Sequence, residues 1–203
     1  MPTRRRLLSL LLTASFAASG AVAAAPASTK LPPAPGDMSL GSPKATVQVV
    51  EYASLSCPHC ARFNADVFPA FKAKYVDTGK VHYTLREMLT PPAEVAAAGF
   101  MMARCAGPSK YFKVVDAVFR SQSKWEGDIK PIFLGIAKDN GLTDAQFEAC
   151  LTNEDNVKAM NARVKAAIDA GVSSTPTFFV NGVKYEGEQT LEKLDAAIAA
   201  AKK

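Results

Sequence analysis

Two cysteines stand three positions apart in Ser56-Cys57-Pro58-His59-Cys60-Ala61, around a proline and one of the chain's two histidines. Three chemistries fit such a pair: half of a metal site, a small structural bridge, or a dithiol that exchanges electrons with other thiols. A tetrahedral zinc site needs two further ligands. The sequence offers only His82, on an expected strand, and no second C-x-x-C. Closing so short a loop constrains the unfolded chain little, so a purely structural bridge is a weak use of the pair. Thiol exchange is the reading that uses both sulfurs, with a thiolate as the reactive species.

That chemistry depends on where the pair sits. If Cys57 ends a strand and Pro58 takes the first helical position, where its missing N–H has no helical partner anyway, Cys57 becomes the N-cap. Its sulfur then accepts hydrogen bonds from the N–H of His59 or Cys60 and lies at the positive end of the helix dipole. A protonatable His59 beside it adds a third effect of the same sign. Thiols in such settings have pKa values of roughly 3.5–7.5. Cys60, one turn on, is close enough to close a disulfide and lies further inside the helix. Whatever favours the Cys57 thiolate favours the reduced pair, so the disulfide form is the stronger oxidant. The act implied is disulfide donation.

The flanking sequence supplies the elements that this placement needs. Thr46 to Ala53 is β-branched, apolar and partly alternating, and predicts a strand. Phe63, Val67, Phe68, Phe71 and Tyr75 recur at helical spacing after the pair, with Pro69 expected to kink that helix rather than start it. Lys80 to Arg86 predicts a second strand, parallel to the first through a right-handed crossover. From about 91 to 170 the pattern is helical throughout: Val95 to Cys105, Tyr111 to Arg120, Ile129 to Asp139, Asp144 to Leu151 and Asn156 to Asp169. Thr177 to Val180, Asn181-Gly182 and Val183 to Tyr185 spell a hairpin, and Thr190 to Lys202 a final amphipathic helix. The fold class is α/β: a mixed central sheet flanked by helices, with an all-α insertion between its halves.

The N-terminus speaks to the compartment. Arg4-Arg5-Arg6, the apolar run Leu7 to Ala18, and Ala21-Val22-Ala23-Ala24-Ala25 have the form of a cleaved export signal over residues 1–25, cut after Ala23 or Ala25. Thr3-Arg4-Arg5 before Leu7-Leu8 leaves the general and twin-arginine routes both open. Losing that segment and its three arginines lowers the formal net charge from +5 to +2, so the basic balance belongs partly to the signal. The remainder carries no Lys/Arg block, which argues against nucleic-acid binding. Residues 26–43, rich in proline, read as an extended lead-in, and 44–203 as one domain. Four cysteines suit an oxidising compartment and are too few to replace a core.

Glu51-Tyr52-Ala53-Ser54-Leu55-Ser56 running into Cys57-Pro58-His59-Cys60 resembles the active-site approach of the DsbA-type thiol:disulfide oxidoreductases. Val172 to Gly182, with Ser174-Thr175-Pro176-Thr177 at its centre, resembles their cis-proline loop and following hairpin. The resemblance spans nearly all of the chain beyond the signal and implies a thioredoxin fold with a helical insertion. By it, Cys57 is the attacking and attacked sulfur and Cys60 resolves it, with Pro58 and His59 between them. Thr175-Pro176 would face the disulfide through a cis bond and hold the Thr175 backbone for an extended substrate. The family carries a glutamate at the spacing of Glu51, which implies a proton carrier for Cys60. Alternation along Val47, Val49 and Glu51 sets that carboxylate among apolar neighbours, yet the residues alone equally allow one that reaches solvent.

Cys105 and Cys150 both fall in the helical block. Their bland reading is a non-catalytic disulfide between two helices, which some DsbA-like proteins carry; two free buried thiols are the alternative. Loop closure of that length stabilises by up to roughly 4 kcal/mol. The implied protein is a monomer of the bacterial periplasm that introduces disulfides into reduced secreted polypeptides, recycled by a DsbB-type membrane partner. It needs no metal or organic cofactor, the Cys57–Cys60 disulfide being its reagent. A reductase or isomerase of the same fold, or a copper-handling protein using the same pair as ligands, are the competing functions.

Overall fold

The computed structural model describes residues 31–202; the expected export signal lies outside them. Five strands form one sheet in the order β1-β3-β2-β4-β5. β2 (Val47–Ala53) and β3 (Val81–Glu87) are parallel, while β1 (Met38–Leu40), β4 (Thr177–Val180) and β5 (Val183–Glu186) join antiparallel. The β2 strand is buried along nearly its whole length, as a central parallel strand covered on both faces must be.

Between β2 and β3 the chain is helical without a break over residues 58–76, with two π-turns inserted. α1 (Pro58–Arg62) passes into a π-turn (Phe63–Val67), then α2 (Phe68–Phe71) and a second π-turn (Lys72–Val76). Pro69 stands in the first turn of α2, where its missing N–H is harmless. Pro69 therefore lies inside a continuing helix, as its place in the apolar pattern indicates, directly after a π-turn that widens the helix at that point. Phe63 of this stretch packs edge-on against Phe178 of β4 (4.8 Å between ring centres) and Phe68 packs tilted against Tyr83 of β3 (4.9 Å), fixing the helix over the sheet.

The helical insertion lies between β3 and β4: α3 (Ala93–Cys105), α4 (Tyr111–Ser121), a 3₁₀ turn (Gln122–Lys124), α5 (Lys130–Asp139), α6 (Asp144–Thr152) and α7 (Glu154–Asp169). α7 starts two residues earlier than the apolar pattern indicated, because the Asn153 side chain caps it by accepting from Asn156 N–H at 2.9 Å. Gly99 lets α3 close on the active-site loop; a Cβ there would meet Leu55 at 2.9 Å. Glu87, fully buried at the end of β3, pairs with Arg104 of α3 and Arg163 of α7, tying the insertion to the sheet. The Cys105–Cys150 disulfide joins α3 to α6. α8 (Leu191–Ala200), capped by Thr190, closes the chain.

The segment read as an extended lead-in contributes the edge strand β1, so the sheet begins before residue 44. Three residues among prolines and glycines carry too short a pattern to show this; Ser39 pairs with Thr84, and their hydroxyls meet at 2.8 Å. The Asn181-Gly182 turn takes positive φ at both residues (45° and 86°), as a two-residue hairpin of this twist demands.

Candidate active site

β2 delivers the chain to Ser54, and the turn that follows is held from three sides. Ser56 donates to the Thr90 carbonyl at 2.7 Å, Thr90 N–H donates to Ser54 Oγ at 3.0 Å, and Gln122 Nε2 donates to the Leu55 carbonyl at 2.8 Å. Gln122 reaches the Cys57 carbonyl as well, at 3.3 Å. The insertion thus clamps the loop from which α1 starts. Cys57 is the N-cap in extended conformation, Pro58 opens the helix, and Cys57 Sγ accepts from Cys60 N–H at 3.4 Å.

The two sulfurs, both free thiols, differ sharply. Cys57 is 5% exposed and Cys60 0%. Cys57 is held down at about 5 from an ordinary 9.0, first by the hydrogen bond from the Cys60 thiol. Burial opposes this, while the Thr175 hydroxyl and the N–H groups of Cys60 and His59 help. The Thr175 hydroxyl is buried and makes no regular hydrogen bond, so its proton is available to the neighbouring sulfur. Cys60 is pushed well above its ordinary value, by burial first and then by its bond to Cys57 and the charges of Glu51 and Cys57.

Thr175–Pro176 is a cis peptide, and Cys57 Sγ lies 3.4 Å from the Thr175 carbonyl oxygen. A second cis bond, Pro91–Pro92, follows Thr90. Glu51 is 2% exposed, which settles its orientation: the carboxylate faces the interior and not solvent. Burial raises it to about 8, against the lowering effect of the Tyr83 hydroxyl that donates to Oε2 at 2.6 Å, and the Cys57 charge adds to the rise.

His59 departs from its expected role. Its imidazole is more than half exposed and turns to Glu188, Nδ1 lying 2.5 Å from Oε1. Arg62 Nη2 reaches the same oxygen at 2.5 Å. His59 favours the Cys57 thiolate through its backbone N–H; the carboxylate partner on another loop draws the ring aside. Glu188, whose pKa is lowered first by His59 and then by Arg62, belongs to the site's rim. Gly187 N–H donates to the Pro176 carbonyl at 3.0 Å, so the loop bearing Glu188 is tied to the cis-proline loop.

Sequence reasoning had not found Tyr83, Gln122 or Glu188. Strand parity pointed to the first: in the parallel register Val49 pairs with Tyr83 and Glu51 with Leu85, so Tyr83 shares the face of Glu51. His82 stands on β3 opposite Gln48. Among the described residues no three His, Cys, Asp or Glu side chains gather as a metal site, and no helix is long and apolar enough to cross a membrane.

A thioredoxin family model matches residues 33–200. Curated sequences of Rickettsia typhi and Rickettsia bellii, named as protein-disulfide oxidoreductases, are each 32% identical over 169 residues, 81% of this chain. The chain spans slightly less than two thirds of their length (62% and 64%). The crystal structure of Wolbachia pipientis alpha-DsbA1 is similar with a TM-score of 0.76 at 31% identity, over 83% of this chain and 92% of that one. A protein-disulfide isomerase of Novosphingobium aromaticivorans follows at 0.68 and 26%, over 81% and 96%. Family match, overall likeness and the Cys57–Cys60 geometry agree: the chain belongs to the thioredoxin family, in its DsbA-type branch.

Proposed function

We propose that the chain is an exported thiol:disulfide oxidoreductase of the bacterial periplasm, which donates its Cys57–Cys60 disulfide to reduced secreted polypeptides. One observation carries this reading: Cys57 caps α1, its sulfur accepting from Cys60 N–H at 3.4 Å, while Cys60 is fully buried, which lowers the first thiol to about 5 and raises the second well above 9.0. A substrate thiolate attacks Cys57 Sγ, the less buried sulfur, and the Cys57–Cys60 bond breaks with its electron pair going to Cys60. The Cys60 thiolate, unstable where it is buried, takes a proton from the Glu51 carboxyl, which at about 8 is mostly protonated at neutral pH. A second substrate thiolate then attacks the sulfur joined to Cys57, and Cys57 departs as a stable thiolate. The substrate leaves oxidised by two electrons, and the pair is reduced by two.

The Thr175 backbone would pair with the substrate chain beside Cys57, and a DsbB-type membrane partner would restore the disulfide. The protein would act as a monomer without metal or organic cofactor. Equilibration with glutathione buffers tests the direction. A reduction potential near −120 mV supports donation; one near −270 mV marks a reductase instead.

A further inference from the structure

A cavity of about 440 Å³ lies between α7, the ends of β2 and β3, and the lead-in that runs into β1. Neither sulfur of the Cys57–Cys60 pair lines it. Most of its wall is apolar. Ala162 and Ala166 stand on the α7 side, Tyr52 and Leu85 on the sheet side, and Leu31 with three prolines of the lead-in on the third. A volume of this order suits a small ligand with an apolar body.

The charges around the cavity do not balance. Arg86, Arg104 and Arg163 line it, against Asp37 and Glu87 as the acidic side chains of the same wall. One positive charge is left over, and the hydrogen bonds show where it sits. Arg86 donates to both Asp37 oxygens, to the Tyr52 hydroxyl and to the Pro32 carbonyl. Arg104 donates through Nε to Glu87 and through Nη1 to the Gly36 carbonyl at 3.0 Å. Arg163 donates through Nε alone, to the other Glu87 oxygen. Among the described residues, neither terminal nitrogen of Arg163 has a protein partner. Its side chain is 18% exposed, so this fork of donors is held in place by Glu87 and is still reachable. Water satisfies such a fork well, but it covers apolar walls of this kind poorly.

We propose that this cavity binds a small amphipathic monocarboxylate, a medium-chain fatty acid being the simplest case. The carboxylate takes the Arg163 fork as a bidentate pair, the geometry that a planar guanidinium matches. The apolar body lies between the alanines of α7 and the prolines of the lead-in. A monoanion neutralises the single surplus charge, whereas an alcohol of the same length leaves it unmatched. The site is independent of the exchange reading, because no residue assigned to thiol exchange takes part in it.

The test is calorimetric titration of the protein at pH 7.5 with decanoate below its micelle concentration, with decanol for comparison. Amide chemical shifts of the labelled protein locate the ligand, and melting temperatures show that each variant is folded. Decanoate binds once per chain, about tenfold or more tightly than decanol, and shifts Leu31, Tyr52, Ala162 and Ala166. Arg163→Lys keeps a cation for Glu87 but not the planar fork; it weakens decanoate about tenfold and leaves decanol unchanged. Ala166→Leu, on an exposed position of α7, fills the cavity without touching an ion pair and weakens both ligands alike. Equal affinity for decanoate and decanol, undiminished binding to a folded Ala166→Leu protein, or no binding overturns the proposal. So do shifts gathered instead at the cavity beside Glu51 and Tyr83. Shifts at the four residues that follow protein concentration and ignore decanoate mark a second copy of the chain as the occupant, and overturn it as well.

Discussion

Changing the pH perturbs the proposed couple directly, because the site fixes how many protons accompany its two electrons. Reducing an ordinary disulfide takes up two protons below the thiol range, and each shifts a two-electron potential by about 30 mV per pH unit. Here Cys57 is thiolate above about pH 5, whereas Cys60 remains a thiol well beyond pH 9. Between about pH 5.5 and 7 the pair therefore takes up one proton, and its potential falls by about 30 mV per unit instead of about 60. The sign is that of a depressed pKa: thiolate stabilisation is complete above 9.0 and lost as the pH falls through about 5, so the steeper slope returns below pH 5. At pH 7 the lowering stabilises the reduced protein by at most about 2.7 kcal/mol, which makes the couple at most about 60 mV more oxidising. Equilibration with glutathione buffers across this range, followed by acid trapping and mass analysis of the two forms, reads the slope. A fall of about 60 mV per unit throughout would refute the asymmetry on which the mechanism rests.

Thr175→Val removes one donor from the Cys57 sulfur; it raises that thiol by about one pH unit and makes the couple about 30 mV less oxidising, measured by thiolate absorbance and glutathione equilibrium. Glu51 has a raised folded pKa, so its ionisation costs stability increasingly as pH rises from 4.5 to about 8. Glu51→Gln accordingly stabilises the protein by about 2–3 kcal/mol at pH 7 and by nothing below pH 4.5, as denaturant titration at the two pH values reads. Glu87→Ala leaves two arginines without their buried partner and costs about 3–5 kcal/mol, a fall of about 10 °C in melting temperature, with the Cys57 titration unmoved.

The parts of the fold legible in the sequence are those set by local rules. Pro58 and the strand before it placed Cys57 at a helix start, and Asn181-Gly182 marked the hairpin. Long helices announced themselves by spacing. What stayed hidden depends on partners far along the chain. β1 is three residues long and exists by pairing with β3. The clamp from Gln122 reaches back to Leu55, and the pull of Glu188 on His59 crosses from a loop near the C-terminal end, with no local pattern to announce either. That pull explains why proximity in sequence misjudged His59: a neighbour of Cys57 by number, it presents its backbone to the sulfur and its ring elsewhere. Glu51 was ambiguous by alternation alone, because a central strand has two buried faces and parity cannot say which end of a glutamate meets water.

Disulfide donation turns on the ease with which Cys57 holds a negative charge while Cys60 keeps its proton. Ultraviolet absorbance of the reduced protein, titrated from pH 3 to 9 and compared with Cys57→Ser, isolates that sulfur. A single thiolate appearing with a midpoint near 5, absent from the variant, is the predicted result. A midpoint near the ordinary 9.0 would contradict it.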